Sequence, residues 1–439
     1  MKFKSLAIVI LSAIMLTSCN ASDKNKGNSL SANNPVTITL GSVEDTGLQT
    51  MIDEFNSTEG ADKGIIVDLK TFDDDSSISS VDMVCSDYNT IYSTCSDQQV
   101  AELSDYFSSM YLGTNYISSA IETTSLSGLR AIPVKLDMNV LAVNKSAWEG
   151  FANAKGLDTS ALATWDSMLS VAEQYYEYSN GEKLLSVSSV YDVAMENSYQ
   201  ISKPLTETSQ SGAVINLTSE LMLTVWDTVC VPQIKGYYTY GDYSNVQSGE
   251  VVMSYCPLSQ VSNDDSIMVL QAPYKSGGYD NGRYVLDTTA IAVHSTDDTT
   301  IYASTVFIKW LTNQENNYRY ALLDNSIPVC VDNLKESSIK SYLNDGTYSV
   351  NADGELLSVG LINEAKCFKV SPFDNVSTLE ATIESRSNLV SQNETIKSRL
   401  NNGVLPAKVY EGILDGNSFK LWYDDISSQL QVAFNTLES

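Results

Sequence analysis

Residues 131–150 read AIPVKLDMNVLAVNKSAWEG, and the fold is decided there. From Ile132 to Val143 the stretch carries apolar strand material, interrupted by Lys135 and Asp137. On both sides of it, strand-like runs alternate with amphipathic helical ones, the pattern of α/β domains with largely parallel sheets. Upstream, residues 36–40 read as a strand and residues 47–56 as a helix, with Leu48, Met51, Ile52 and Phe55 at i, i+3, i+4 and i+7. Residues 64–69 (GIIVDL) are a second strand, and residues 81–85 a short third one that turns through Ser86, Asp87 and Tyr88 into a helix. Downstream, Thr164 caps a helix in which Trp165, Met168, Leu169 and Ala172 recur at helical spacing, with Asp166 in its first turn. Residues 251–255, 267–270 and 285–293 are further strands; residues 300–311 and 315–323 are helices. No repeat at solenoid periods is present.

The 439 residues suggest two or three domains, and an apolar fraction of 43% fits a globular chain. With 26 basic residues against 54 acidic ones, the net charge of −28 disfavours nucleic acid and anionic lipid surfaces as partners. A single histidine, His294, excludes HExxH and three-His zinc sites, and no P-loop or GxGxxG motif occurs. No metal, cofactor or catalytic group is expected. The run Asp73, Asp74, Asp75 lacks the alternating spacing of a calcium loop and reads as a solvated turn.

At the start of the chain, Lys2 and Lys4 precede an apolar stretch over residues 6–16 that is too short to span a membrane. It ends in Leu16, Thr17, Ser18, Cys19, which is similar to a bacterial lipobox. Residues 1–18 are expected to be a lipoprotein signal peptide, with Cys19 the lipidated residue. Residues 19–35 would then be a polar tether, and the body would lie outside the cell membrane, held by acyl chains only.

Four stretches, in order, resemble the extracellular solute-binding proteins of ABC importers, the family-1 group that includes maltose-binding protein. They are ITLGSVEDTGLQTMIDEFN (38–56), the stretch 131–150 with Pro133, Asn144 and Lys145, SGEVVMSYCP (248–257) with Gly249 and Met253, and YVLDTTAIAVHSTDDTTIYASTVFIKWLTNQENNYRYA (284–321). The resemblance covers residues 36 to about 335 and is vague beyond. It implies an α/β, two-lobed periplasmic-binding-protein-like fold with a hinged interlobe cleft. The expected lobes are 36–137 plus 288–330 and 138–287 plus 331–439. It further implies a monomer that binds a solute without chemistry and delivers it to permease subunits, a sugar or oligosaccharide being the expected cargo.

Sugar sites combine aromatic faces with planar polar groups, and the candidates follow from that. Glu44 and Asp45 follow the first strand, and Asp87 and Tyr88 the third, where the family places cleft-facing groups; for Glu44 and Asp45 an acidic helix start is the competing reading. Asp137 falls where the maltose-binding pattern carries a ligand-contacting acid at the hinge. In GYYTYGDY the tyrosines are too close together to share one buried face, which nominates Tyr238 and Tyr240. Tyr255 ends the Gly-x-x-x-Met strand, and Asp287 lies in the return crossing. Ser188, Ser189 and Tyr191 are weaker candidates, while Trp165 and Trp310 read as structural. The scarcity of arginine disfavours anionic ligands.

Besides Cys19 the chain has Cys85, Cys95, Cys230, Cys256, Cys330 and Cys367, which either form disulfides, such as Cys85–Cys95, or stay as buried thiols. Three other functions stay open. The same fold could carry a polyamine or other cationic solute, through ion pairs and cation–π contacts with Asp and Tyr. A surface glycan-active enzyme and an adhesin lipoprotein are the alternatives outside transport.

Overall fold

The computed structural model describes residues 30–43, 45–72, 80–94, 100–123, 128–209, 212–276, 284–343, 351–364, 366–368, 370, 376–403, 413–414 and 416–434. Cys19, Glu44, Cys95 and the Asp73–Asp75 run lie outside them. The strands are β1 (Val36–Val43), β2 (Ile65–Phe72), β3 (Met83–Asp87), β4 (Ala131–Asp137), β5 (Asn139–Asn144), β6 (Lys183–Val187), β7 (Thr206–Ser209), β8 (Gly212–Ile215), β9 (Tyr238–Tyr240), β10 (Val251–Pro257), β11 (Ile267–Gln271), β12 (Tyr284–Val285), β13 (Asp287–Val293), β14 (Ile327–Pro328) and β15 (Cys367–Phe368).

β1 is flanked by β2 and β3, both parallel to it. The connection from β1 is the helix Thr46–Ser57, started by Asp45, whose carboxylate accepts from the Leu48 amide at 2.7 Å. Leu48, Met51, Ile52 and Phe55 form its buried face. Burying each such side chain contributes about 1.5–3 kcal/mol, and Phe55 adds edge contacts to Phe307 and Trp310. At the helix end the Asn56 amide pairs with both backbone groups of Val67, at 2.8 Å each, which ties helix to strand. Antiparallel β13, β4 and β14 complete the sheet in the order β14-β4-β13-β3-β1-β2.

The second sheet runs β11-β5-β10-β6-β9, with β6 parallel to both its neighbours and β5 antiparallel to β10 and β11. Its helix Trp165–Tyr178 begins in a reciprocal capping box between Thr164 and Ser167 and packs against β6. The helices Val376–Ser387, Val390–Asn401 and Gly416–Phe434, where the resemblance fades, pack around the helices Val190–Gln200 and Val231–Lys235 beside this sheet. Trp226 and Trp422 meet there at 5.3 Å.

The chain passes from one sheet to the other at three places, and these position the site. Asp137 closes β4 in the first sheet and Asn139 opens β5 in the second, leaving Met138 alone between them. The return falls between β11 and β13, where Asp287 pairs with Asp137. Near β14, the Asn325 amide donates to the carbonyls of Leu258 and Val261 beside the second sheet, at 2.6 and 2.8 Å, and its oxygen receives the Asn351 amide.

The described cysteines are all free thiols. Cys85 points into the first-sheet core toward the Tyr320 hydroxyl at 4.0 Å, and burial raises its pKa to about 12, so it is an inert packing group there. His294 is half-buried just after β13.

Candidate functional site

Where the two sheets meet, carboxylates gather from four directions. Asp137 and Asp287 come from paired positions of β4 and β13, and Asp87 from the end of β3. The helix Val190–Gln200 supplies Asp192 and Glu196, one turn apart, and the helix Val376–Ser387 supplies Glu380 and Glu384, likewise one turn apart. Among the described residues, none of the seven takes part in an ion pair.

Hydrogen bonds hold several of them in place. Asp137 accepts from the amides of Met138 at 2.8 Å and Ser259 at 3.3 Å, which ties the first crossing to the loop after β10. Burial still raises its pKa to about 6, against those bonds. Asp192 accepts from the Asn139 amide at 3.0 Å, so the first residue of β5 touches the helix behind the cleft. Glu384 accepts from the Ser189 hydroxyl at 2.9 Å and the Tyr191 amide at 2.8 Å through one oxygen, and its other oxygen has no partner.

Mutual repulsion then acts on the group. Asp287 keeps contact with solvent, yet enclosure in the cleft and the charges of Asp192, Asp137, Asp87 and Glu380 hold its carboxyl well above the usual range. Burial, then Asp192, Glu384 and Asp87, lift Glu380 to about 7. Glu196 is fully buried, and burial followed by the charges of Asp192 and Asp287 raises it strongly. Neither Glu196 oxygen closes a hydrogen bond of normal geometry, although the Tyr255 hydroxyl and the Val285 amide are its nearest polar neighbours. Beside this cluster lies an open depression of about 520 Å³ lined by Tyr240, Ala381, Glu384, Ser385, Asn388 and Ser391.

The residues nominated from sequence divide accordingly. Asp87, Asp137 and Asp287 belong to the cluster, Tyr240 is 36% exposed over the depression, and Tyr255 is fully buried with its ring on Trp165 at 5.6 Å. Asp45 lies elsewhere: it caps its helix, accepts from Lys135 at 2.9 Å and Tyr320 at 2.8 Å, and is largely buried. Tyr88 packs with Val84, Ile91 and Ala292 in a small core, because it opens a helix that folds back onto β3 and β13. Tyr238 is fully buried on β9, and its neighbours Tyr237 and Tyr243 nearly so, which leaves Tyr240 as the tyrosine of GYYTYGDY that reaches the surface. Arg130, Arg319 and Arg386 pair with Glu102, Glu54 and Asp425 away from the cleft.

Asp192, Glu196, Glu380 and Glu384 were not foreseen. Their signal was present as two acid pairs at i, i+4, DVAME and EATIE, each lacking the Lys or Arg that a solvated helix places at that spacing.

Among the described residues, no group of three or more His, Cys, Asp or Glu side chains is arranged to hold a metal ion. No helix among them is long and apolar enough to cross a membrane.

Two α/β sheets joined by three crossings, with polar groups gathered between them, define a hinged two-lobed binding protein. A model of the bacterial extracellular solute-binding protein family matches residues 54–342, and the chain belongs to that family. No curated protein matches it by sequence. Among solved structures, it resembles the cyclic alpha-maltosyl-1,6-maltose binding protein of Arthrobacter globiformis (15% identity, TM-score 0.63, 91% of this chain and 100% of that one). The maltose-bound T. maritima MalE3 is similar at 15% identity and TM-score 0.64, over 91% and 100% of the two chains. So is the ABC substrate-binding protein Lmo0181 of Listeria monocytogenes in complex with cycloalternan, at 14% identity and TM-score 0.62, over 90% and 99%.

Proposed function

We propose that this protein captures a sugar or oligosaccharide between its lobes and delivers it to the permease subunits of an ABC importer. The observation that carries the reading is the cleft at the crossings, where Asp137, Asp192 and Asp287 meet beside the exposed ring of Tyr240. Structural neighbours named for saccharide ligands support it. The lobes would be 36–137 plus 288–330 and 138–287 plus 331–439, closing about the crossings so that each sheet moves intact. Closure signals occupancy only because the ligand prefers the closed state. The function is binding without chemistry, by a monomer held outside the cell membrane through lipidated Cys19 after removal of residues 1–18.

The test is a thermal-shift and calorimetric panel of malto-, isomalto- and galacto-oligosaccharides. A ligand at a hundred times its Kd stabilises the folded state by about 2.7 kcal/mol, which raises Tm by several degrees. If no saccharide shifts Tm, the reading fails; if the protein turns a glycan over, binding without chemistry fails.

One observation favours a second reading, a polyamine or other cationic solute: seven carboxylates face one another with no basic partner among the described residues. Heat from spermidine, with none from any saccharide, would select it.

A further inference from the structure

A sugar cleft needs groups that bond hydroxyls, and neutral ones suffice. This cleft holds far more negative charge than hydroxyls require. The strongest charges acting on Glu196, Asp287 and Glu380 are all those of other carboxylates. Elsewhere in the molecule several partly buried acids carry a base: Asp45 and Asp324 share Lys135, and Glu54 has Arg319.

An acidic cluster alone does not make a site, but a second observation points to a ligand. Glu196 is fully buried, faces Asp192 and Asp287, and has both oxygens unpartnered. Leaving a buried carboxyl unpaired costs several kcal/mol or forces it to take up a proton, and a bound cation removes that cost. A single metal ion does not fit, since no three acidic side chains among the described residues are arranged closely enough to hold one. An ammonium does, because it donates in three directions and accepts a looser arrangement of oxygens.

Neutral groups stand beside the charged ones. Asn139, whose amide donates to Asp192, has a buried and unpartnered oxygen, and so does the Ser188 hydroxyl, whose residue donates its amide to Tyr255. The Tyr240 ring is open to the neighbouring depression. A bare amine chain would leave the Asn and Ser groups unused, whereas hydroxyls on a ring would satisfy them.

We propose that the cleft binds a saccharide bearing a protonated amine, its ammonium seated among Glu196, Asp192 and Asp287 and its hydroxyls on Asn139, Ser188 and the Tyr240 side. The inference rests on the saccharide reading and adds a charge requirement to it. Binding displaces protons held by the crowded carboxyls, so affinity rises with pH until the amine itself begins to deprotonate.

The test is calorimetry on the full chain with two- and three-residue glucosamine oligomers and their N-acetylated counterparts, in which a neutral acetamide replaces each ammonium, together with malto-oligosaccharides and spermidine. The free amines should bind at least about tenfold more tightly and release protons, seen as heats that change with buffer ionisation enthalpy. Asp287→Asn, chosen because Asp287 keeps solvent contact and leaves the buried Glu196 in place, should erase most of that preference. Equal affinity for amine and N-acetyl forms, or binding of malto-oligosaccharides alone, overturns the charge requirement and leaves the saccharide reading standing. Spermidine binding with no saccharide binding overturns both.

Discussion

Two acidic neighbourhoods occupy equivalent kinds of place in this molecule and have opposite fates. Asp45, after β1, and Asp324, just before β14, converge on Lys135, with the Tyr320 hydroxyl on Asp45 and the lysine 4.9 Å from the Tyr320 ring centroid. Burial works against the lysine's charge, but the two carboxylates more than offset it and hold its pKa above the ordinary value. At the crossings, Asp87, Asp137, Asp192, Asp287 and their glutamate neighbours converge without a base; burial holds Asp192 above the usual carboxyl range, and burial with repulsion does so for Asp287, Glu196 and Glu380. One lysine separates a structural ion cluster from an unsatisfied one. Acid count and strand-end position do not distinguish the two; the presence of a counter-charge does.

The largest test of that contrast is Lys135→Met. It strands Asp45 and Asp324 without their cation, and removing one partner of a buried pair costs about 3–5 kcal/mol. Urea denaturation measures it, and a loss below about 1 kcal/mol would mean that the lysine does not make the difference.

Glu355 gives the next effect, with the opposite sign. It is fully buried at the start of the helix Ala352–Asn363, has neither oxygen partnered, and is raised to about 8 by burial and by Asp137. Because the folded form holds its proton more tightly than the unfolded one, the folded state binds more protons between about pH 4.5 and 8, and stability falls as pH rises through that window. The loss should be on the order of 2–4 kcal/mol between pH 5 and 8.5. Glu355→Gln should remove most of it, raising stability at high pH. A wild-type stability that instead climbs over this range would contradict the assignment.

The smallest effects come from a matched pair of hydroxyls. Tyr320→Phe deletes a bond to a charged acceptor and should cost about 1.5–3 kcal/mol. Tyr255→Phe removes a hydroxyl with no bonded partner in the cleft and should change the ligand-free stability by less than about 1 kcal/mol. Equal costs in thermal melts would erase the distinction between a satisfied cluster and one awaiting a partner.

Much of the architecture was legible because local chemistry and burial agree. Asp45 and Thr164 stand at helix starts where their side chains cap, and the Leu48–Phe55 stripe faces the core it was patterned for. The crossing at Asp137 was legible only through the resemblance of the stretch 131–150, with Pro133, Asn144 and Lys145, to the solute-binding proteins. Tyr88 and Tyr238 were not readable as packing groups, since a tyrosine looks the same in a loop and in a core until its helix or strand is docked. Asp192, Glu196, Glu380 and Glu384 were missed for a related reason. Each pair shares one helix face, but the two helices are separated by some 180 residues and meet only through the packing of Val376–Ser387 against Val190–Gln200.

By itself the sequence determined the alternation of strands and helices, the caps, the excess of acid over base and the family to which the chain belongs. Tertiary structure alone decided which acids found a lysine and which found only one another. Hydrophobic periodicity and capping act over a few residues, so they are written locally. The interaction that neutralises or strands a carboxylate acts through space, between groups such as Asp45, Lys135 and Asp324 that only the folded chain brings within reach.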